Sequence, residues 1–291
     1  MADWIDSFLH RERLPAAYRD TIDNALLPLA AAITQRARLS DHLVLVGLSG
    51  AQGSGKSTAA AALVEVLARE DLPATALSID DFYLPRAARA ELARTVHPLL
   101  ATRGVPGTHD VELAQATIDS LAGDEPVLLP SFDKGIDDRR PRREWRQVTG
   151  PLRVVILEGW CVGARPQSQA QLATPINALE RDEDADGTWR AHVNAALSGP
   201  YRPLFDRLSP LVLLEAPSFE VVHGWRAEQE RKLRQRLESA GADTSRVMDD
   251  AGIARFIAHY ERVTRHILAE MPHRADHVIR LSTSRTARWL R

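Results

Sequence analysis

The string Gly50-Ala51-Gln52-Gly53-Ser54-Gly55-Lys56-Ser57-Thr58 has the spacing G-x-x-x-x-G-K-S, with the apolar run Val44-Leu45-Val46 before it and an alanine-rich stretch after it. Strand, glycine-rich loop and helix in that order make a cradle for a polyphosphate. The backbone N–H groups must turn inward around the anion, and glycine reaches the dihedrals that allow this. Lys56, in the first helical turn, can reach the β- and γ-phosphates. The Ser57 hydroxyl can ligate Mg2+, and the helix N-terminus favours negative charge. The implied chemistry is the binding of a nucleoside triphosphate with its metal ion.

Two acids stand where such a cradle can use them. Ligands of open parallel sheets bind beyond the carboxyl ends of the strands. Asp80 ends the next apolar run, residues 74–79, which is expected one step from the loop. Phosphoryl transfer to an alcohol needs a carboxylate that orients the hydroxyl and accepts its proton. Asp80 suits that task, with Asp81 beside it and Phe82-Tyr83 as a pocket wall. The other role open to Asp80 or Asp81 is to cap a helix or to hold water on Mg2+. Glu158 ends the apolar run 154–157 and can hold Mg2+ directly or through water. Lys56, Lys134 and Lys232 are the only lysines among 37 basic residues, the rest being arginine. A lysine kept against that background suits a place needing a compact, mobile ammonium, which makes Lys134 a candidate beside Lys56.

These residues must be placed by the elements around them. Residues 1–40 are expected to be helical, with Tyr18, Ile22, Leu26, Leu29 and Ile33 near helical spacing, as an extension packed on the main domain. Strands are expected at 43–48, 74–79, 126–129, 154–157, 211–214 and 278–281, and helices at 55–69, 219–238 and 249–270. Asp110 is a candidate N-cap for a helix carrying Val111, Leu113 and Ile118. Residues 84–109 are broken by proline and glycine, 131–143 form a charged loop, and 164–200 are expected to be a polar, loop-rich insertion with some helix. Strands alternating with helices predict an α/β fold with a mostly parallel sheet and helices on both faces, residues 41–291 forming the main domain.

The 291 residues are 26% charged and 5% aromatic, with a net charge of −2. Balanced charge and few aromatics argue against a nucleic-acid partner, and no apolar run reaches the ~18 residues that span a bilayer. The acidic start Met1-Ala2-Asp3 lacks the form of a signal peptide. The single cysteine, Cys161, excludes an internal disulfide; it is expected to be a small buried residue, and a cytoplasmic location is expected. A monomer is the expected state.

Several strings together resemble one known family. They are residues 50–57, Leu77-Ser78-Ile79-Asp80-Asp81-Phe82-Tyr83-Leu84, Arg103-Gly104-Val105-Pro106-Gly107-Thr108-His109-Asp110, Pro130-Ser131-Phe132-Asp133-Lys134, Val155-Ile156-Leu157-Glu158-Gly159-Trp160 and Trp225-Arg226-Ala227-Glu228-Gln229-Glu230. In order and content they are similar to the plant- and fungal-type D-glycerate 3-kinases and their bacterial relatives. Those enzymes belong with phosphoribulokinase, uridine kinase and bacterial pantothenate kinase among the P-loop kinases. The resemblance covers about residues 43–235. It implies a three-layer P-loop fold using ATP and Mg2+. Asp80 is then the general base, Lys56 and Ser57 serve phosphate and metal, and Glu158 helps hold the metal. Arg103, His109, Asp110, Lys134 and Arg139 are placed near the acceptor. The helix 219–238 becomes a lid bearing Arg226, Arg231, Arg234 and Arg236, of which Arg226 is expected over the phosphates. The implied reaction is phosphorylation of D-glycerate, a small-molecule acceptor, to 3-phosphoglycerate. The alternatives are a uridine-, pantothenate- or sugar-like acceptor, or an ATP-binding regulatory protein without phosphotransfer. The loop 134–139 is shorter than in the plant enzymes, a departure from the family pattern on the acceptor side.

Overall fold

The computed structural model describes residues 2–239 and 248–290. Its frame is a six-stranded sheet in the order β10-β9-β8-β1-β7-β2. The strands are β1 (Val44–Gly50), β2 (Ala74–Ser78), β7 (Val154–Gly159), β8 (Leu211–Glu215), β9 (His277–Leu281) and β10 (Ala287–Trp289). All neighbours are parallel except the β9–β10 pair at the edge. β1 and β7 are buried along their whole length, because each strand has a core on both faces. Val154 and Ile156 join one apolar cluster while Val155 and Leu157 join the other, the two-residue period of a strand covered on both sides.

On one face lie the N-terminal helices, including Leu27–Arg38, and the helix Lys56–Arg69; Ile33 and Leu63 are fully buried against the sheet there. The other face is covered by the helices Val111–Ser120, Thr188–Ser198 and Asp250–Glu270. Asp110 caps the first of these, its carboxylate accepting from the Leu113 N–H at 3.1 Å. The helix Phe219–Ser239 follows β8. Among the described residues, no helix is long and apolar enough to cross a membrane.

Three sequence expectations need correction. The strand β3 (Pro126–Leu129) pairs with β6 (Arg146–Thr149) outside the main sheet. Within the charged loop, β4 (Phe132–Asp133) and β5 (Asp138–Arg139) form a short ladder that gives it a fixed shape. The segment 164–200 has more helix than expected, in Gln169–Leu172, Ala178–Glu183 and Thr188–Ser198, and part of it is internal: Trp189 is buried, and so are the pairs Arg190–Asp184 at 2.8 Å and Arg262–Glu180 at 2.6 Å. Its charges neutralise one another in the interior, which is how buried ions are tolerated.

Candidate active site

The loop after β1 turns sharply into the helix Lys56–Arg69. Gly53 and Gly55 sit at φ of +78° and +87°, which side chains rarely adopt, and a Cβ on Gly53 would lie 2.7 Å from Trp225 Cβ. Lys56 Nζ donates to the Ala51 carbonyl at 3.2 Å, closing the loop on itself. Burial pushes the Lys56 ammonium below its ordinary value, opposed by the carboxylates of Glu158 and Asp80. Ser57 Oγ donates to Glu158 Oε1 at 2.7 Å. Glu158 is 6% exposed and lies on β7, paired directly with β1. Two hard oxygen donors this close can share one divalent cation.

Asp80 stands across the cleft of about 180 Å³ that this loop opens onto. It follows β2 in the short 3-10 turn Ile79–Phe82. The expectation of one step from the loop is wrong, because β7 lies between β1 and β2. The Lys134 ammonium donates to Asp80 Oδ2 at 2.6 Å and the Tyr83 hydroxyl to Oδ1 at 2.8 Å. Burial acts to raise the Asp80 carboxyl, but Lys134, Tyr83 and the imidazole of His109 outweigh it and hold it at about 2. Tyr83 is braced from behind by His109, stacked at 4.6 Å between ring centres, and edge-on by Phe132 at 5.2 Å. The Tyr201 hydroxyl accepts from the Gly107 N–H and is hydrogen-bonded to His109 Nδ1. Burial lowers His109 to about 4, and the ring is neutral at physiological pH.

No protein-family model matches the chain. It is 35% identical over 227 residues to the uncharacterized kinase mug58 of Schizosaccharomyces pombe, covering 74% of this chain and 78% of that protein. The chain belongs to the P-loop kinase family that includes the D-glycerate 3-kinases. The chloroplastic D-glycerate 3-kinase of Arabidopsis thaliana is 28% identical over 244 residues, or 80% of this chain and 50% of that protein. Among solved structures, the D-glycerate 3-kinase of Cryptococcus neoformans superposes with a TM-score of 0.73 at 24% identity, covering 91% of this kinase and 99% of that chain. That last likeness supports the P-loop kinase fold.

In this kinase the cleft brings together Gln52, Gly53, Lys56 and Ser57 from the loop with Asp80, Tyr83, Arg103, Lys134, Glu158 and Arg226. Gly50, Ala51, Ser54, Gly55 and Thr58 shape the loop and do not line the cleft. Four further sequence candidates do not reach it either. Asp81 turns aside to accept from the Phe132 N–H at 3.2 Å, and burial raises its carboxyl. His109 is 5% exposed behind Tyr83. Arg139 donates to the Tyr83 carbonyl and to the capping Asp110, both at 3.0 Å. These residues hold the wall that Tyr83 faces from. On the helix Phe219–Ser239, Arg226 lies 5.1 Å from the Phe256 ring centre and pairs with Glu230. Arg231 is exposed, neither it nor Arg234 lines the cleft, and the side chain of Arg236 lies outside the described residues.

Sequence reasoning missed Trp160, Gln229, Phe256 and Tyr260 on the cleft wall. Trp160 and Gln229 sat inside recognised strings. Phe256 and Tyr260 follow the apolar period of their helix, so nothing local separates them from ordinary core residues.

Proposed function

We propose that this kinase transfers the γ-phosphoryl group of ATP to the primary hydroxyl of D-glycerate, giving 3-phosphoglycerate and ADP. The observation that carries the reading is the placement of Asp80 and Arg103 in one cleft with Lys56 and Ser57. An acid that can receive a hydroxyl proton and a guanidinium that can take a carboxylate share a pocket with a phosphate cradle. D-glycerate offers both a primary alcohol and a carboxylate. The named relatives in plant and fungus support the same acceptor.

The loop N–H groups and Lys56 bind the β- and γ-phosphates. Ser57 and Glu158 would hold Mg2+, which supplies charge neutralisation on the phosphates when bound. Asp80 accepts a hydrogen bond from the acceptor hydroxyl and aims its oxygen at the γ-phosphorus. The new O–P bond forms as the bond to the β–γ bridging oxygen breaks, and ADP leaves with that electron pair. A carboxylate held at about 2 is a weak base. Its main task is therefore orientation, and it takes the proton late, once bonding to phosphorus has made the hydroxyl acidic. Lys134 is 59% exposed at its end of the ion pair with Asp80. Its exposed, flexible stem lets the ammonium move from the carboxylate to a phosphoryl oxygen.

A coupled ADP-release assay over D-glycerate, glycerol, uridine, pantothenate and simple sugars tests this. ADP release should depend on D-glycerate. Turnover on uridine, pantothenate or a sugar with none on D-glycerate rejects the acceptor and keeps the class of reaction.

A further inference from the structure

The backbone at Arg103 and Gly104 is tied down by three hydrogen bonds. The Tyr260 hydroxyl donates to the Arg103 carbonyl at 3.0 Å, and Trp160 Nε1 donates to the Gly104 carbonyl at 2.9 Å. The Gly104 N–H donates to Thr108 Oγ1 at 3.0 Å. Tyr260, Trp160 and Thr108 are all buried. Gly104 has a φ of +130°, and a Cβ there would lie 2.0 Å from the Tyr260 phenolic oxygen. The hydroxyl occupies the space a side chain would need. The phenol is itself held in place, edge-on to Trp160 at 4.8 Å and tilted against Phe256 at 4.9 Å between ring centres. Burial raises its pKa, so it stays a donor throughout the physiological range.

What this clamp immobilises is the base of a cleft-facing arginine. Arg103 passes over the Phe132 ring at 5.6 Å and pairs through Nη1 with Asp137. Asp137 also meets the fully buried Arg89 at 3.0 Å. Among the described residues, no other N–H of the Arg103 guanidinium has a hydrogen-bond partner. The side chain is thus fixed at its backbone and at one nitrogen, with its other donors left for the cleft. A fork fixed before the ligand arrives loses less entropy on binding a carboxylate.

We infer that Tyr260 is a positioning residue for the acceptor: through the Arg103 carbonyl it sets the guanidinium that takes the acceptor's carboxylate. This rests on the acid-acceptor reading above. Tyr260 reaches the site from the helix Asp250–Glu270, far along the chain from the recognised strings.

The test is steady-state kinetics on the full chain with Tyr260→Phe, which removes one oxygen and keeps the ring. The KM for D-glycerate should rise about tenfold, while kcat and the KM for ATP stay within about twofold. In an Arg103→Ala background the same substitution should change the acceptor KM by less than about twofold, because the group it positions is gone. Trp160→Phe removes the second donor and should give the same pattern, which covers the case of a Tyr260→Phe chain that does not fold. An equal effect in both backgrounds, a parallel rise in the KM for ATP, or no change in the acceptor KM overturns the inference. Absence of D-glycerate turnover in the wild type overturns the acceptor reading and the positioning role with it, an outcome distinct from a wild type that turns over with an insensitive Tyr260→Phe.

Discussion

One wall of the cleft is drawn from a single short loop, through Gln52, Gly53, Lys56 and Ser57, while the opposite wall, proposed to take the acceptor, is assembled from segments around residues 80, 103, 134, 160 and 260. The first wall works through its backbone: strand, loop and helix are consecutive, and their geometry aims the N–H groups. The second works through side chains that arrive from several elements and first satisfy one another. Asp80 holds Lys134, Arg103 holds Asp137, and Arg139 holds Asp110. A contiguous wall is specified by local sequence, whereas an assembled wall depends on tertiary packing to separate residues that face the ligand from residues that support them.

Substitutions on the two walls should therefore fail differently. Asp80→Asn should lower kcat by roughly 10²–10⁴ and leave ATP affinity within a few-fold. Lys56→Ala should weaken ATP binding and turnover together, and comparing the two by nucleotide titration and steady-state rates separates the walls. Glu158→Gln keeps the shape of the site and removes a charge, so half-maximal activity should need about 10-fold more Mg2+ or beyond. That effect would show in a magnesium titration at fixed ATP.

The Asp80–Lys134 pair gives a pH test. Its carboxyl is held at about 2, below the ordinary value of about 3.9. The stabilisation it contributes is therefore complete above about pH 4 and is lost as the pH falls from there toward 2. In Lys134→Met, burial acts without the opposing ammonium and pushes the carboxyl up. The acid limb of both stability and kcat/KM should move to higher pH, while an unmoved limb would assign it to another group. The smallest effect belongs to the supporting residues. Asp110→Ala removes a helix cap worth about 1 kcal/mol and should lower Tm by about 2–4 °C. The acceptor KM should stay within about threefold. A large rise in that KM, with Tm unchanged, would return Asp110 to the ligand.

The same contrast explains what the sequence made legible. The strand β1, its loop and the helix Lys56–Arg69 follow from a local pattern and stand where expected, as do the cap at Asp110 and the helix Asp250–Glu270. Strand order was not legible, since it depends on which apolar runs pair, and β7 inserts between β1 and β2. Asp81, His109, Asp110 and Arg139 stood beside true cleft residues in the chain and carried the right chemistry. Their hydrogen bonds turn them toward the wall's interior. The polar composition of 164–200 read as loop-rich, and the burial of part of it was not legible because the pairing of Glu180 with Arg262, across many residues, cannot be seen from spacing.

The arrangement itself is tested most directly by a crystal structure of the chain with Mg·ADP and D-glycerate. The account predicts the primary hydroxyl within about 3 Å of the Asp80 carboxylate, directed at the phosphate cradle, with the acceptor carboxylate on Arg103. A D-glycerate molecule bound the other way round, its carboxylate against Lys134 and its primary hydroxyl remote from Asp80, would contradict it.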